Sequence, residues 1–506
     1  VCIVLAARPA GNDPAKPAGV MYRSLSPGKR GDKFAELAKM TLADTGWRKG
    51  FDGWRDPFLA KSVGAWAAFP KLDDLFDYNG SGVLPGRTWP IAPDATTLSK
   101  RWDALIRETH AERKQTLFHP TVRRNPKTGE YEVAHRHIYK IISSHIPNLA
   151  NSGKPIASES GKCVEPVRYH FRSFDRQWII PDLRLIGDAR PQLQNSASTS
   201  QVYLTALMAS SPTSGPAVSF AASPPDYDHY KGSFSGKVFP LWQDVAATNP
   251  NIKPALLEYL AETYGTAVLA EDLMAYIAGL VAHPNFTSRF SEDLRQPGVR
   301  IPITKDAGLF AEAAALGREI IWLHCYGERM ADPKNGRPVG TPRLPEVSRP
   351  TIPAGGAIPG APEPLPDAME YNAASGRLHI GKGFIDNVPN AVWQYEVSGK
   401  NVLRHWFSYR KRDRSRPLIG TKRRPSPLDS IQPDHWLPEY TDDLIDLLNV
   451  LGWLVKLEPK QKDLLDRILA GTLLDRDTLE GVGALVGPPK VKGGKKQAAS
   501  DQPTML

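Results

Sequence analysis

Ten prolines fall between residues 333 and 366, at positions 333, 338, 342, 345, 350, 353, 359, 362, 364 and 366. Proline fixes φ and carries no backbone N–H, so neither a long helix nor a central strand can run through such a stretch. The segment reads as a linker or a long excursion and marks a candidate boundary between subdomains. A chain of 506 residues with 41% hydrophobic content and 12 tryptophans has material for sizeable cores on either side of it. The length itself suggests about two to four domains.

Before that boundary, apolar spacing predicts helices and short strands in turn. "VCIVLAARP" and "GVMYRSL" (19–25) suggest a hairpin, and "GDKFAELAKMTLA" a helix with Phe34, Leu37, Ala38 and Leu42 on one face. Residues 94–118 read as one long amphipathic helix. From residue 168 onward, "RYHFRSFDRQWIIPDLRLI", "QVYLTALMAS" and "AVSFAAS" read as strands, and 251–281 as two helices. "DAGLFAEAAALGREIIWLHCYG" reads as another helix. After the prolines, "GRLHIGKGFIDNV" and "AVWQYEVSGKNVLRHWFSYR" suggest strands of a second β-rich unit. A Leu-rich helix over 444–457 and a second over 459–470 close the fold as a helical pair, and the tail from 486 to 506 has a disordered composition. The expected class is α+β, with β-rich units, packed helices and that C-terminal pair.

The formal net charge is +10, and its placement says more than its size. Between Lys400 and Arg424 lie ten Lys or Arg residues against one acid, Asp413. So local an excess favours contact with a polyanion, although a solvated charged loop has the same composition. Trp406, Phe407 and Tyr409 lead into the run and either anchor it to a core or stack on bases. The glycine-rich "DYDHYKGSFSGKVFP" (226–240) is a further candidate, with Tyr230, Lys231 and Lys237 beside glycines that admit close backbone approach. An ordinary hairpin loop is an equally good reading of it.

Other motifs carry less. "GRLHIGKG" (376–383) fits most of a phosphate loop, but Gly383 stands where Ser or Thr would hold magnesium and a strand follows instead of a helix. A hairpin turn explains it better. "DYNGSG" (77–82) is not preceded by the buried strand that a cofactor loop requires, and no Asn-Pro-Pro-Tyr tetrapeptide is present. The histidines lack metal-ligand spacing, and His324 beside Cys325 sits at an apolar helix end suited to core packing. No catalytic, cofactor or metal residue is assigned. Cys2, Cys163 and Cys325 are too scattered for a disulfide framework, which suits a cytoplasmic location. No apolar run is long enough to cross a bilayer, so no membrane partner is expected.

Three stretches together, "SGVLPGRTW" (81–89), "FRSFDRQWIIPDLRLI" (171–186) and "VWQYEVSGKNVLRHWFSYRKRDRSRP" (392–417), resemble the C-terminal half of bacterial Type ISP restriction–modification enzymes. In that family a nuclease and a motor precede an adenine-N6 methyltransferase, and a specificity domain ends the chain. The resemblance implies a phage-defence system whose full-length enzyme uses S-adenosylmethionine, and Mg with ATP where a motor is present. It also implies that Val1, set inside a strand-like stretch, belongs to the C-terminal part of something longer. Residues 1–25 would be the last strands of a methyltransferase domain and 26–160 a helical connector. Residues 161–332 would form a first recognition subdomain, 333–366 the linker, and 367–485 a second subdomain. The family's usual "RPFD" appears as Arg172, Ser173, Phe174 and Asp175, with serine in place of proline.

The expected function is therefore sequence-specific binding of double-stranded DNA, beside an upstream methyltransferase domain that this chain mostly lacks. The alternatives are an interaction protein whose basic surface meets an acidic partner, and an enzyme with an unrecognised site. Candidate DNA-contacting residues are Arg404, Arg410, Lys411, Arg412, Arg414, Arg416, Lys422, Arg423 and Arg424, with Tyr230, Lys231 and Lys237 in the glycine-rich loop. Arg87 and Arg176 are second-tier candidates, each equally suited to a structural ion pair, and Asp175 is expected to pair with a nearby arginine.

Overall fold

A computed structural model describes the chain except residues 1–2, 8–9, 12, 14, 17, 27–28, 51–63, 121, 125–127, 134–135, 209–211, 231–235, 297, 413–425 and 488–506. It separates into two units, Val1–Ala68 and Phe69–Leu506.

In the first unit, the strand Met21–Tyr22 pairs antiparallel with Arg48–Lys49, not with the residues before it. The described residues Ile3–Ala7 form no strand. Arg23 reaches Asp44 at 2.7 Å and the Trp47 indole donates to the Thr41 carbonyl, so the chain after the helix Arg30–Lys39 is drawn back alongside residues 21–22. The hairpin expected within 1–25 is replaced by this longer-range pairing.

The second unit is α+β and is built from small antiparallel sheets with helices between them. One sheet orders its strands Ile91–Ala92, Asp175–Ile179 and Val167–Arg172. A second sheet orders Val218–Ala221, Tyr203–Ala206, Lys237–Pro240 and Gly80–Ser81. Every residue of Tyr203–Ala206 is buried, which is why "VYLTAL" shows no polar alternation. The segment expected as one helix over 94–118 breaks into Ala95–Arg107 and Ala111–Phe118. The Glu108 carboxylate stops it by accepting the His110 N–H at 2.7 Å and the Arg113 guanidinium at 2.9 Å.

The helices Ala270–Val281 and Ala307–His324 lie against each other at glycine contacts. A Cβ added at Gly317 would sit 1.6 Å from the Ala275 carbonyl oxygen, and one at Gly279 would sit 2.4 Å from that of Ala313. Only glycine permits this approach. His324 and Cys325 are buried at the end of the second helix, in core packing.

The proline-rich segment holds single 3-10 turns, Pro333–Asn335 and Glu346–Ser348, and isolated bridges at Arg337 and Thr351, with no long helix or strand, as the prolines require. It is nevertheless tied down: Leu344 is buried and its N–H donates to Asn449 Oδ1 at 2.8 Å. The strands Met369–Asn372, Arg377–Ile380 and Gly383–Ile385 follow as an antiparallel meander, so "GRLHIGKG" is a hairpin turn. Residues 444–470, expected as two helices, belong to one helix, Pro438–Ala470, with Pro459 inside it. Buried residues continue across the proline, with Leu454 and Leu457 before it and Gln461, Leu464, Leu465 and Ile468 after it. That continuous packed face outweighs the hydrogen bond that proline removes.

Candidate nucleic-acid interface

The basic run begins at Lys400 on the short strand Lys400–Asn401, which pairs antiparallel with Glu396–Val397 as a strand reading expects, and then passes into a helix where a longer strand is expected. Val402–Phe407 is helical, with Asn401 Oδ1 accepting the Arg404 N–H at 2.9 Å as its cap. Val402, Leu403, Trp406 and Phe407 are its buried face. The Trp406 and Phe407 rings lie 6.3 and 6.4 Å from Trp436, which meets Tyr440 of the long helix edge-on at 5.4 Å. Tyr409 meets Phe171 edge-on at 5.0 Å. The aromatic lead-in therefore anchors the run in the core.

Arg410 is part of that anchor. It is 0% exposed, and its Nη2 reaches Asp175 Oδ1 at 2.9 Å while Nη1 donates to the Trp406 carbonyl at 2.9 Å. Its guanidinium also lies 3.9 Å from the Trp406 ring centre. Held this way it presents nothing to a phosphate, and the expectation of a DNA contact at Arg410 is replaced by a structural ion pair. Asp175 has the arginine partner its sequence context suggests, and it also accepts from Gln177 Nε2 at 2.8 Å.

Asp175 belongs to the Arg172–Ser173–Phe174–Asp175 turn between two strands, where Phe174 adopts a left-handed φ of 59°. Each residue of the turn has a structural task. Arg172 reaches Asp226 at 2.8 Å, and Phe174 packs 4.8 Å from the His324 ring and 5.9 Å from Tyr395. Ser173 N–H donates to the His229 carbonyl at 2.9 Å, a bond that proline at this position does not make. Burial pushes the Asp226 carboxyl up against the pull of Arg172, and burial together with Asp226 holds the Tyr169 hydroxyl well above its usual range. This network joins the first sheet to the base of the 226–240 loop.

The remaining candidates divide by exposure. Tyr230 is buried, with its hydroxyl 2.8 Å from Thr205 Oγ1 and 3.3 Å from Ser219 Oγ, so it fixes the base of the loop and offers no surface to a ligand. Arg87 is buried and bonded to the Leu185 carbonyl, 4.3 Å from the Phe118 ring centre. Arg176 pairs with Glu328 at 2.6 Å and lies 3.7 Å from the Tyr326 ring centre. Arg176 takes the structural ion-pair role that its sequence context also allowed, and Arg87 is held by a backbone carbonyl and an aromatic ring. Lys231 lies outside the described residues.

Lys237, Arg404, Lys411 and Arg412 reach the surface, Lys237 and Lys411 half-buried and the two arginines exposed. Arg404 lies 4.8 Å over the Trp393 ring centre, and Trp393 stacks on Tyr371 at 5.5 Å, so an exposed cation rests on a rigid aromatic base. Arg412 donates its backbone N–H to the Pro366 carbonyl at 3.0 Å, and its side chain pairs with Asp367, where Nε lies 2.9 Å from Oδ1. Beyond Arg412, residues Arg414, Arg416, Lys422, Arg423 and Arg424 lie outside the described residues. The chain is fixed again at Ser426, whose hydroxyl donates to the Leu117 carbonyl at 2.5 Å, and at Leu428, buried among Trp89, Trp102 and Phe118. The described residues on either side of this stretch, Arg412 and Ser426, are each held by a hydrogen bond to the backbone of a distant segment. Among the described residues no group of three His, Cys, Asp or Glu side chains is placed to hold a metal ion.

The described fold is one of small antiparallel sheets packed with helices, the long helix Pro438–Ala470 among them. The model of the Type ISP C-terminal specificity domain matches residues 74–447, and the chain belongs to that family. Two solved structures share the fold at low identity. The cryo-EM DrdV–DNA complex aligns with TM-score 0.53 and 15% identity, over 87% of this chain and 42% of that one. A nuclease-deletion mutant of the Type ISP restriction–modification enzyme LlaGI, in complex with a DNA substrate mimic, aligns with TM-score 0.50 and 14% identity, over 87% of this chain and 32% of that one. The chain spans less than half of either protein. No curated protein matches it.

Proposed function

We propose that the chain recognises a specific sequence in double-stranded DNA for a Type ISP adenine-N6 methyltransferase, within a bacterial phage-defence system. The supporting observation is that Arg404, Lys411 and Arg412 reach the surface on a segment whose Trp406, Phe407 and Arg410 are buried, because cations on an anchored segment lose less entropy on settling against a duplex. Arg404, Lys411, Arg412, Arg414, Arg416, Lys422, Arg423 and Arg424 contact phosphates and set register, while Lys237 and Lys231 flank a loop that meets base edges. Methyl transfer from S-adenosylmethionine belongs to a methyltransferase domain upstream of this chain, and ATP with Mg to a motor where one is present. Both related complexes contain DNA, in keeping with this reading.

The test is the salt dependence of duplex binding. Neutralisation of about six phosphates gives a log K against log salt slope near −5. A flat slope, or no duplex binding at low salt, sinks the proposal and leaves a basic surface for an acidic protein partner. Methylation of DNA by this chain alone would overturn the assignment of catalysis to an upstream domain.

A further inference from the structure

Two segments 182 residues apart in sequence close on each other at one end of the second sheet. The connection from 207 to 217 leaves the strand Tyr203–Ala206 and returns as Val218–Ala221. Ala206 pairs with both Val218 and Lys237, so this connection lies at the sheet end where the Lys237 strand begins. There Ser214 meets the hairpin formed by Glu396–Val397 and Lys400–Asn401. The hairpin turns through Ser398 and Gly399, whose φ values of 49° and 74° are those of a two-residue type I′ turn. Both central N–H groups of the turn end on Ser214: Ser398 donates to its carbonyl at 2.8 Å, and Gly399 to its hydroxyl oxygen at 2.9 Å. The same hydroxyl donates to Glu396 Oε2 at 2.8 Å. Gly215 completes the fit, because at φ 69° a Cβ there would overlap the Glu396 carbonyl oxygen.

The hairpin held this way presents a cation. Lys400 is exposed, and no acid among the described residues forms an ion pair with it. The carboxylate on the hairpin itself, Glu396, is engaged by the Ser214 hydroxyl. Asn401 braces the next step of the chain, accepting the Arg404 N–H at 2.9 Å and donating to the Trp393 carbonyl at 2.6 Å. Arg404, also exposed, follows Lys400 by four residues, at most about 14 Å away, a span of about four phosphates along one DNA strand. We propose that Ser214 is a positioning residue for DNA recognition, holding the hairpin so that Lys400 contacts a backbone phosphate beside Arg404. The inference rests on the DNA-recognition reading above. It adds a clamp between the sheet that carries Lys237 and the segment that carries Arg404.

The experiment measures duplex affinity across a salt series, together with thermal unfolding, for Lys400→Ala, Ser214→Ala and the double variant. Lys400→Ala should weaken all duplexes about eightfold at about 0.1 M salt and reduce the magnitude of the log K against log salt slope by about 0.9, the share of one phosphate. Ser214→Ala changes no charge, so its slope should stay at the wild-type value. Its affinity should fall about threefold, the order of the cost of fixing one mobile side chain on binding. In the Lys400→Ala background, Ser214→Ala should cost nothing further, since the cation it positions is gone. An equal loss from Ser214→Ala in both backgrounds, or a lower melting temperature with wild-type affinity, would make Ser214 a purely structural residue and overturn the proposal. Wild-type affinity and slope in Lys400→Ala would place the hairpin outside the interface. Absence of duplex binding by the wild-type chain at low salt would instead remove the recognition reading, and this inference with it.

Discussion

Removing the Arg410 side chain should damage stability and not DNA affinity as such. Arg410→Met keeps much of the aliphatic volume while deleting the guanidinium, which leaves the Asp175 carboxyl, only 2% exposed, without its arginine partner. The change also removes a donor to the Trp406 carbonyl and the cation over the Trp406 ring. Breaking a buried ion pair from one side costs about 3–5 kcal/mol, because the partner charge stays buried without compensation. With a urea dependence of about 3 kcal/mol per M, the unfolding midpoint should fall by roughly 1–1.7 M. Tryptophan fluorescence reads this directly, since Trp406 and Trp436 line the site. The double variant Arg410→Met/Asp175→Leu should recover much of the loss, because it removes both charges together. An unchanged midpoint in Arg410→Met, accompanied by weaker duplex binding, would refute the structural assignment.

Other consequences follow from packing and from buried titratable groups. Gly317→Ala should destabilise the chain by about 3 kcal/mol or more, since the new Cβ meets a backbone oxygen that cannot step aside, whereas Gly481→Ala, with nothing within 4 Å, should be near neutral in thermal unfolding. Burial holds His324 down at about 3, His229 and His283 at about 4, and His170 well below the usual value of 6.5. These rings stay neutral in the folded state and gain protons on unfolding, so stability should fall as pH drops from 6.5 toward 4. The slope is up to about 1.4 kcal/mol per pH unit per histidine, and calorimetry at pH 7.5, 6 and 5 measures it. Burial pushes Glu458 up to about 7, which has the opposite sign, with stability lost as pH rises from 4.5 through 7. Glu458→Gln should therefore raise the melting temperature at pH 8 and leave it unchanged at pH 5.

Much of the fold is legible in the sequence because apolar spacing survives in long buried elements. The helices Pro254–Tyr264, Ala270–Val281 and Ala307–His324 all fall within the segments whose spacing announces them. The site is harder to read, for a physical reason. Arg410, Lys411 and Arg412 are consecutive cations with one local signature, and what separates the first from the third is Asp175, 235 residues away in sequence, against Asp367, 45 residues away. Burial set by so distant a partner leaves no trace in local composition. Tyr230 passes for a surface residue for the same reason, because its hydroxyl is satisfied by Thr205 and Ser219 on neighbouring strands. The helix Val402–Phe407 does carry a signal, with buried positions 402, 403, 406 and 407 at helical spacing, obscured by the β-branched and aromatic residues around it. Leucines beyond Pro459 likewise hint at one continuous helix, but a proline in mid-pattern ordinarily marks a stop.

The most direct test of DNA recognition through the basic run is a salt titration of duplex binding by the wild-type chain and by Lys411→Ala/Arg412→Ala/Arg414→Ala, a variant that leaves the buried Arg410 in place. The expected result is weaker binding to all duplexes alike, with the log K against log salt slope reduced in magnitude by about 2–3, near 0.9 for each phosphate that is no longer neutralised. A variant slope equal to that of the wild type, whether or not sequence preference shifts, would contradict the assignment of the run to the phosphate backbone.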